Sequence, residues 1–173
     1  MKQPLFTTPP SSICILRLSA LGDVCHVLPV VRTLQDTWPS TQLTWILGKL
    51  EHKLLGHLPG IEFIVFDKNA GTRGYRDLRS QLRGRRFDAL LHMQLALRAS
   101  IASIMVPARY RLGFDRARAR EGQWLFTNAK IAARSREHVL DSLFGFAERL
   151  GVATRSMRWD IPLPDSARDY ANE

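Results

Sequence analysis

Residues 13–29, ICILRLSALGDVCHVLP, decide the fold of this chain. The run 13–16 is short, apolar and rich in β-branched residues, which is typical of a buried parallel strand. Gly22 and Asp23 follow it, and apolar residues then recur at helical spacing from Val24 onward. The stretch predicts a strand, a tight turn at Gly22 and a helix after Asp23. Pro29 either removes one hydrogen bond and kinks this helix, or marks the place near which the helix proper begins.

The same alternation of strand and helix patterns continues to residue 151. Further strands are predicted at 41–47, 61–66, 87–93 and 109–114, and helices at 74–85, 97–105 and 137–151, while 115–130 reads as irregular and polar. Such alternation predicts an α/β fold, a Rossmann-like parallel sheet with helices on both faces. Ligands of such sheets bind at the carboxyl ends of the strands, where the loop with Asp23 lies. The predicted organisation is a flexible leader at 1–11, one domain at 12–158 and a linker at 159–173.

Composition limits the class of partner. The 173 residues are 45% hydrophobic, and 25 Lys and Arg against 16 Asp and Glu give a net charge of +9. This balance favours anionic partners such as phosphorylated molecules, a membrane surface or nucleic acid. Cys14 and Cys25 form neither a disulfide framework nor a metal ligand set. Without a signal peptide or a long apolar run, the chain is predicted to be cytoplasmic.

Asp23 has two interpretations, which are compatible with each other. Aspartate is among the best helix N-caps, and the helix dipole favours its charge. A carboxylate at the mouth of a parallel sheet can also act as a general base toward a bound hydroxyl. Gly22 leaves room there for a ligand, and Ser19 can bond a ligand or the loop backbone.

Several common enzyme motifs are absent from the sequence. It contains no G-x-x-x-x-G-K-[ST] loop and no G-x-G-x-x-G fingerprint, so phosphate-loop and nicotinamide chemistry find no support. It also contains no H-E-x-x-H zinc motif and no G-x-S-x-G nucleophile elbow.

Four segments together resemble the heptosyltransferases, the bacterial glycosyltransferases that build the inner core of lipopolysaccharide. LRLSALGDVCHVLPVVRTL matches the family pattern S-x-x-G-D…P through Ser19, Gly22, Asp23 and Pro29. A second segment, RFDALLHMQLALRAS, resembles the family's fourth strand and the helix after it. A third, RYRLGFDRARAREGQWLFTNAKI, resembles its R-x-G-[FM]-D…R-E segment, and the fourth, REHVLDSLFGFAERLG, resembles the last helix of its N-terminal domain. The resemblance covers roughly residues 12–155. One departure is Leu95, where relatives often have glycine.

The resemblance implies the N-terminal half of a GT-B glycosyltransferase. This half binds the acceptor, an anionic glycolipid of the lipid A/Kdo type, and an absent second domain binds the ADP-heptose donor. The resemblance also implies inverting transfer without a metal or cofactor. One carboxylate suffices for such a reaction, because it deprotonates the acceptor hydroxyl and the nucleotide leaves as a stable diphosphate. The base is then Asp23, and Arg120 takes the arginine position of the R-E pair.

A basic stretch between residues 68 and 86 is a second candidate site. Arg73, Arg76, Arg79 and Arg83 belong to it, and the last three share one helix face. A solvated surface usually mixes charge signs, but here only Asp67 and Asp77 oppose the seven basic residues. Arginine binds phosphate and carboxylate in bidentate geometry, so the stretch is predicted to bind the acceptor or the inner face of the cytoplasmic membrane.

Two other functions remain open at this stage. One is a non-catalytic basic module for an anionic membrane surface or nucleic acid, although no nucleic-acid-binding signature is present and nucleic acid is not expected as a partner. The other is an unrelated Rossmann enzyme that acts on a phosphorylated small molecule.

Overall fold

A computed structural model describes residues 3–134 and 137–162 of the chain. Its six strands are β1 (Ser12–Leu16), β2 (Gln42–Leu47), β3 (Ile61–Val65), β4 (Phe87–His92), β5 (Ala108–Gly113) and β6 (Ala129–Lys130). Its helices are α1 (Leu21–Thr37), α2 (Lys49–Leu55), α3 (Thr72–Gln81), α4 (Leu97–Ile104) and α5 (Val139–Leu150), with a short 3-10 helix at Gln123–Phe126. The predicted α/β class is confirmed.

All five strand pairings are parallel, and the sheet order is β3-β2-β1-β4-β5-β6. The chain starts at the centre with β1, builds outward through β2 and β3, and then crosses to β4 on the other side of β1. A crevice forms where the order reverses, outside the carboxyl ends of β1 and β4. The loop that follows β1 therefore lies at the switch point of the sheet.

Alternation along the strands divides the core into two layers. Ile13 and Ile15 point to the layer covered by α1, α2 and α5, whereas Cys14 and Leu16 point to the layer covered by α3 and α4. All four residues are fully buried. Because successive side chains of a strand point to opposite faces, both faces of the sheet are apolar and both are covered by helices, as the sequence predicts.

Two regions differ from their sequence predictions. The stretch 115–130, predicted to be irregular, contains the 3-10 helix and β6, because Asn128 and Ile131 donate backbone hydrogen bonds to β5 at Arg111 and Gly113. A strand of two residues is too short to show the alternating hydrophobic pattern by which strands are predicted. The helix predicted at 74–85 begins earlier and ends at Gln81, before Gly84, whose φ is +75°.

The ends of the described chain lie against the domain. In the predicted leader, the amides of Leu5 and Phe6 donate to the carbonyls of Arg149 and Leu150 at 2.9 and 3.0 Å. In the predicted linker, the described residues 159–162 lie along α1, where the indole N–H of Trp159 donates to the carbonyl oxygen of Cys25 at 3.0 Å.

Candidate functional site

The loop between β1 and α1 is fixed by the strands on both of its sides. The amide of Leu18 donates to Gln94 Oε1 after β4 at 2.7 Å, and the carbonyl of Leu18 accepts from Gly48 N after β2 at 2.9 Å. The amide of Arg17 donates to Ile46 O at 3.2 Å. These bonds hold the segment before Asp23 in one conformation at the switch point.

Asp23 lies in the first turn of α1 and is not its N-cap. The helix begins at Leu21 with Ala20 as N-cap, and the amide of Ala20 donates to Asp23 Oδ2 at 3.3 Å. The prediction of a turn at Gly22 is therefore wrong, because Gly22 already belongs to the helix. A Cβ at Gly22 would meet no atom within 4 Å, so open space does border this residue.

Arg17 is the residue of the site that sequence reasoning missed. Its guanidinium lies 2.5 Å from Asp23 Oδ2, and its side chain is only 15% exposed, against 43% for Asp23. It also donates to the carbonyl of Met93, which fixes it between β1 and β4. Both contacts found for the Asp23 carboxylate use Oδ2, so Oδ1 has no partner within the described residues. The position of Arg17 directly after β1 was an available signal.

A pocket of about 490 Å³ opens beside this ion pair. Leu95 from the loop after β4 and Phe114 from the loop after β5 contribute apolar walls. The other lining residues are Arg17 after β1, Asp23 on α1, Ala117, Arg118 and Arg120 of the 115–120 loop, Arg134 and Glu137 from the segment before α5, and Val139, Ser142 and Leu143 of α5. The pocket therefore combines one carboxylate on α1 with several arginines and a partly apolar wall.

Arg118 braces the loop that carries Arg120. It pairs with Asp115, donates to Glu137 Oε2 at 2.8 Å and Ser142 Oγ at 2.6 Å, and also reaches the carbonyl of Ala132. Burial raises the pKa of Asp115, but the hydrogen bonds and charge of Arg118 outweigh it, and the pKa lies below its usual value. The loop is thus held against the segment before α5 and the start of α5 by the ion pairs and hydrogen bonds of Arg118.

The structure places the predicted acceptor residues in two groups. The side chain of Arg120 lines the Asp23 pocket and makes no ion pair or hydrogen bond with the described residues. Ser19 and Gly22 are not among the lining residues of this pocket; Ser19 Oγ accepts from Gln94 Nε2 at 3.5 Å in the loop before α1. Arg73 is exposed and pairs with Asp77 at 3.7 Å. Arg76, Arg79 and Arg83 line a different pocket, together with residues that precede β4 and β5.

The two pockets lie at opposite edges of the sheet. Gly84 and Pro107 come before β4 and β5, whereas Leu95 and Phe114 come after them. Strands of six residues separate the two edges by about 20 Å. Arg76, Arg79 and Arg83 therefore do not join Asp23 in one pocket. The prediction that the three share one helix face is wrong for Arg83, because α3 ends at Gln81.

Within residues 3–134 and 137–162, no three His, Cys, Asp or Glu side chains are grouped as metal ligands. Among these residues, none of the helices has the length and apolar character needed to cross a bilayer.

An open, six-stranded parallel sheet with helices on both faces defines a Rossmann-like α/β domain. Residues 75–173, more than half of the chain, match glycosyltransferase family 9, the heptosyltransferases, and the chain belongs to this family. The family resemblance of the sequence is confirmed.

Relatives agree with this assignment. The chain is 46% identical over 170 residues to the lipopolysaccharide core heptosyltransferase OpsX of Haemophilus influenzae, covering 98% of this chain and 49% of that protein. It resembles the crystal structure of a family 9 glycosyltransferase from Veillonella parvula with a TM-score of 0.80, at 21% identity, covering 94% of this chain and 47% of the other. It also resembles the structure of the heptosyltransferase WaaC of E. coli with ADP, with a TM-score of 0.73 at 20% identity, covering 82% of this chain and 48% of the other. The chain spans about half the length of the relatives it matches.

Proposed function

We propose that this chain is the acceptor-binding N-terminal half of an inverting, metal-independent GT-B heptosyltransferase of the lipopolysaccharide core. Membership of family 9 and the 46% identity to a core heptosyltransferase support the reaction class. The observation that carries the assignment of the site is the pocket at the switch point, in which Asp23 lies among arginines.

Asp23 acts as the general base in this proposal. Its Oδ1 takes the proton of an acceptor hydroxyl while the hydroxyl oxygen attacks the anomeric carbon of the heptose. The bond from that carbon to ADP breaks, and its electron pair leaves on the diphosphate, so the anomeric configuration inverts. Arg17 holds Oδ2 at 2.5 Å and thereby orients the carboxylate, which makes Arg17 a positioning residue.

Arginines of the same pocket bind the anionic groups of the acceptor. Arg118 and Arg134 are already paired with Glu137, at 2.8 and 3.1 Å. Arg120 has no such partner among the described residues and lines the pocket, so it is the cation available for an acceptor phosphate or carboxylate. Ser19 and Gly22 border the carboxylate and complete the acceptor site.

The proposal also covers the sugar donor and the location of the protein in the cell. ADP-heptose binds a second domain, and E. coli WaaC has been solved with ADP and with an ADP-heptose analogue. The protein works in the cytoplasm, peripherally associated with the inner membrane, where a lipid A/Kdo-type glycolipid acceptor resides.

Calorimetric titration of the 173-residue chain tests the acceptor assignment. We expect binding of a deacylated, phosphorylated lipopolysaccharide core fragment and no binding of ADP-heptose. Arg120→Gln should weaken the fragment about tenfold or more, because a charge-assisted hydrogen bond is lost. Arg109→Gln, at an exposed arginine outside the pocket, is the matched control. Binding of ADP-heptose instead would contradict the domain assignment.

The catalytic role needs a complete enzyme, which a chimera with the second half of the Haemophilus influenzae relative provides. Asp23→Asn should lower kcat by about 10²–10⁴-fold, the range for loss of a general base. Asp141→Asn is a close control, since Asp141 is also in the first turn of a helix, pairs with an arginine at 2.5 Å and is 44% exposed. Equal activity of the Asp23 variant and the active parent chimera would refute the role.

A gel-shift assay distinguishes this proposal from the competing function, a non-catalytic module that binds nucleic acid. Tight binding of random duplex at near-physiological salt, with a steep salt dependence, would favour that alternative.

A further inference from the structure

Helix α4 presents its large apolar residues outward. Its buried side consists of the small residues Ala99, Ser100, Ala102 and Ser103. Its outer side carries Leu97, Ile101 and Ile104 at positions i, i+4 and i+7, with Leu97 47% and Ile104 55% exposed. A surface helix normally has the opposite arrangement, with polar residues outward.

The apolar surface extends beyond α4 onto the 3-10 helix. Leu125 is 67% exposed and lines the same shallow depression as Ile104. We call Leu97, Ile101, Ile104 and Leu125 the α4 face. A contiguous exposed patch of large aliphatic side chains indicates a surface that contacts something outside the domain.

An arginine pocket borders the α4 face. Arg76, Arg79 and Arg83 of the α3 region line this pocket of about 530 Å³ together with Ile104 and Met105. All three arginines are exposed, and none of their side chains makes an ion pair or hydrogen bond with any residue the structure describes. Ile104 belongs to both surfaces, so the unpaired cations and the apolar patch are continuous.

The chemistry of this surface selects one kind of partner. Single-stranded nucleic acid would need several aromatic platforms for its bases, whereas the large apolar residues that α4 exposes are leucine and isoleucine, and the adjoining depression adds one aromatic ring, Phe126. A two-fold contact with a second copy would bring the same unpaired arginines together. An anionic bilayer accepts both features, since its phosphates pair with arginine and its acyl boundary takes leucine and isoleucine.

We propose that the α4 face and the arginine pocket form the surface by which this domain lies on an anionic membrane. Because α4 begins at the carboxyl edge of the sheet, this surface runs from the edge where Asp23 lies to the arginine pocket at the other edge. The proposal deepens the membrane association stated above, yet vesicle binding is measured without donor, acceptor or turnover.

Vesicle sedimentation of the 173-residue chain tests it. We expect the chain to bind vesicles of equimolar phosphatidylcholine and phosphatidylglycerol, and to bind pure phosphatidylcholine weakly. Each arginine contact contributes about fivefold to partitioning, so Arg79→Gln with Arg83→Gln should lower the partition coefficient about thirtyfold. Ile101→Ser with Ile104→Ser should lower it about tenfold or more, including at raised salt, where the arginine contribution is screened.

Matched controls lie on α2, which covers the opposite layer. Leu50→Ser removes a leucine that is 58% exposed, and Lys53→Gln removes an exposed cation without an ion pair among the described residues. Neither should change partitioning by more than about twofold, the size of a weak peripheral contribution. Equal losses in the α2 variants, no preference for phosphatidylglycerol, or a dimer that Ile101→Ser with Ile104→Ser abolishes would overturn the proposal. Asp23→Asn should bind vesicles like the parent, so failure here and failure of the catalytic proposal are distinguishable.

Discussion

The hydrogen bond between Trp159 and α1 supports a quantitative prediction. In a helix the carbonyl of residue 25 accepts from the amide of residue 29, but Pro29 has no N–H. The indole N–H of Trp159 lies 3.0 Å from this carbonyl oxygen and replaces the missing donor across 134 positions of sequence. Trp159→Phe keeps an aromatic ring but removes the donor.

The expected size follows from exposure and geometry. A neutral hydrogen bond contributes about 0.5–1.5 kcal/mol, and Trp159 is 43% exposed, so water can partly replace it. We therefore expect Trp159→Phe to lower the free energy of unfolding by about 0.5–1 kcal/mol, near the lower end of that range. For a chain of this length the melting temperature should fall by about 1–4 °C.

A double-mutant cycle with Pro29→Ala isolates the bond. In the alanine background the amide of residue 29 can bond the Cys25 carbonyl, so Trp159→Phe should become nearly neutral, with a coupling of about 0.5–1 kcal/mol. The measurement is urea unfolding followed by far-ultraviolet circular dichroism. Trp124→Phe, at an indole that is 40% exposed and makes no hydrogen bond with the described residues, is the control. An equal cost of Trp159→Phe in both backgrounds would refute the reasoning.

Three further predictions concern stability. Burial lowers the pKa of His92 to about 3, so below about pH 6.5 the unfolded chain binds a proton at this residue that the folded chain does not. The free energy of unfolding should therefore fall by about 1.4 kcal/mol per pH unit from about pH 6.5 toward pH 3. Urea titrations at several pH values should show that His92→Gln removes this part of the pH dependence. Arg118→Ala should cost about 3 kcal/mol of unfolding free energy, because it leaves the buried carboxylate of Asp115 without its partner; a cost below about 1 kcal/mol would contradict the brace. Gly48→Ala should lower the free energy of unfolding by about 1–3 kcal/mol, since its Cβ would lie 2.8 Å from the carbonyl oxygen of Leu18. Gly22→Ala should raise it by about 0.5–1 kcal/mol, because alanine favours the helix and its Cβ meets no atom within 4 Å. The melting temperatures of the two variants should therefore shift in opposite directions.

The local part of the site could be predicted from sequence, because it depends on neighbours in the chain. The apolar run of β1, the helical period of α1 and the position of Asp23 between them follow from backbone sterics and side-chain spacing. Arg120 became a candidate through the resemblance to the heptosyltransferases rather than through periodicity, and the structure does bring it into the Asp23 pocket. The exact start of α1 was missed, since Ala20 is a weak N-cap and Asp23 resembles a strong one.

The pairing of distant segments required the tertiary structure. Arg76, Arg79 and Arg83 share a helix face in the sequence, but the direction of α3 in the fold places their pocket at the opposite edge from Asp23. The order β1-β4-β5 brings Gln94 to Leu18 across 76 positions and Arg118 to Ser142 across 24. Hydrophobic periodicity specifies which face of an element is buried, but it does not specify which elements become neighbours. Local patterns in the chain therefore specify the sheet class, the carboxylate and the neighbouring Arg17, whereas tertiary packing decides that the distant cations Arg118 and Arg120 lie in the same pocket.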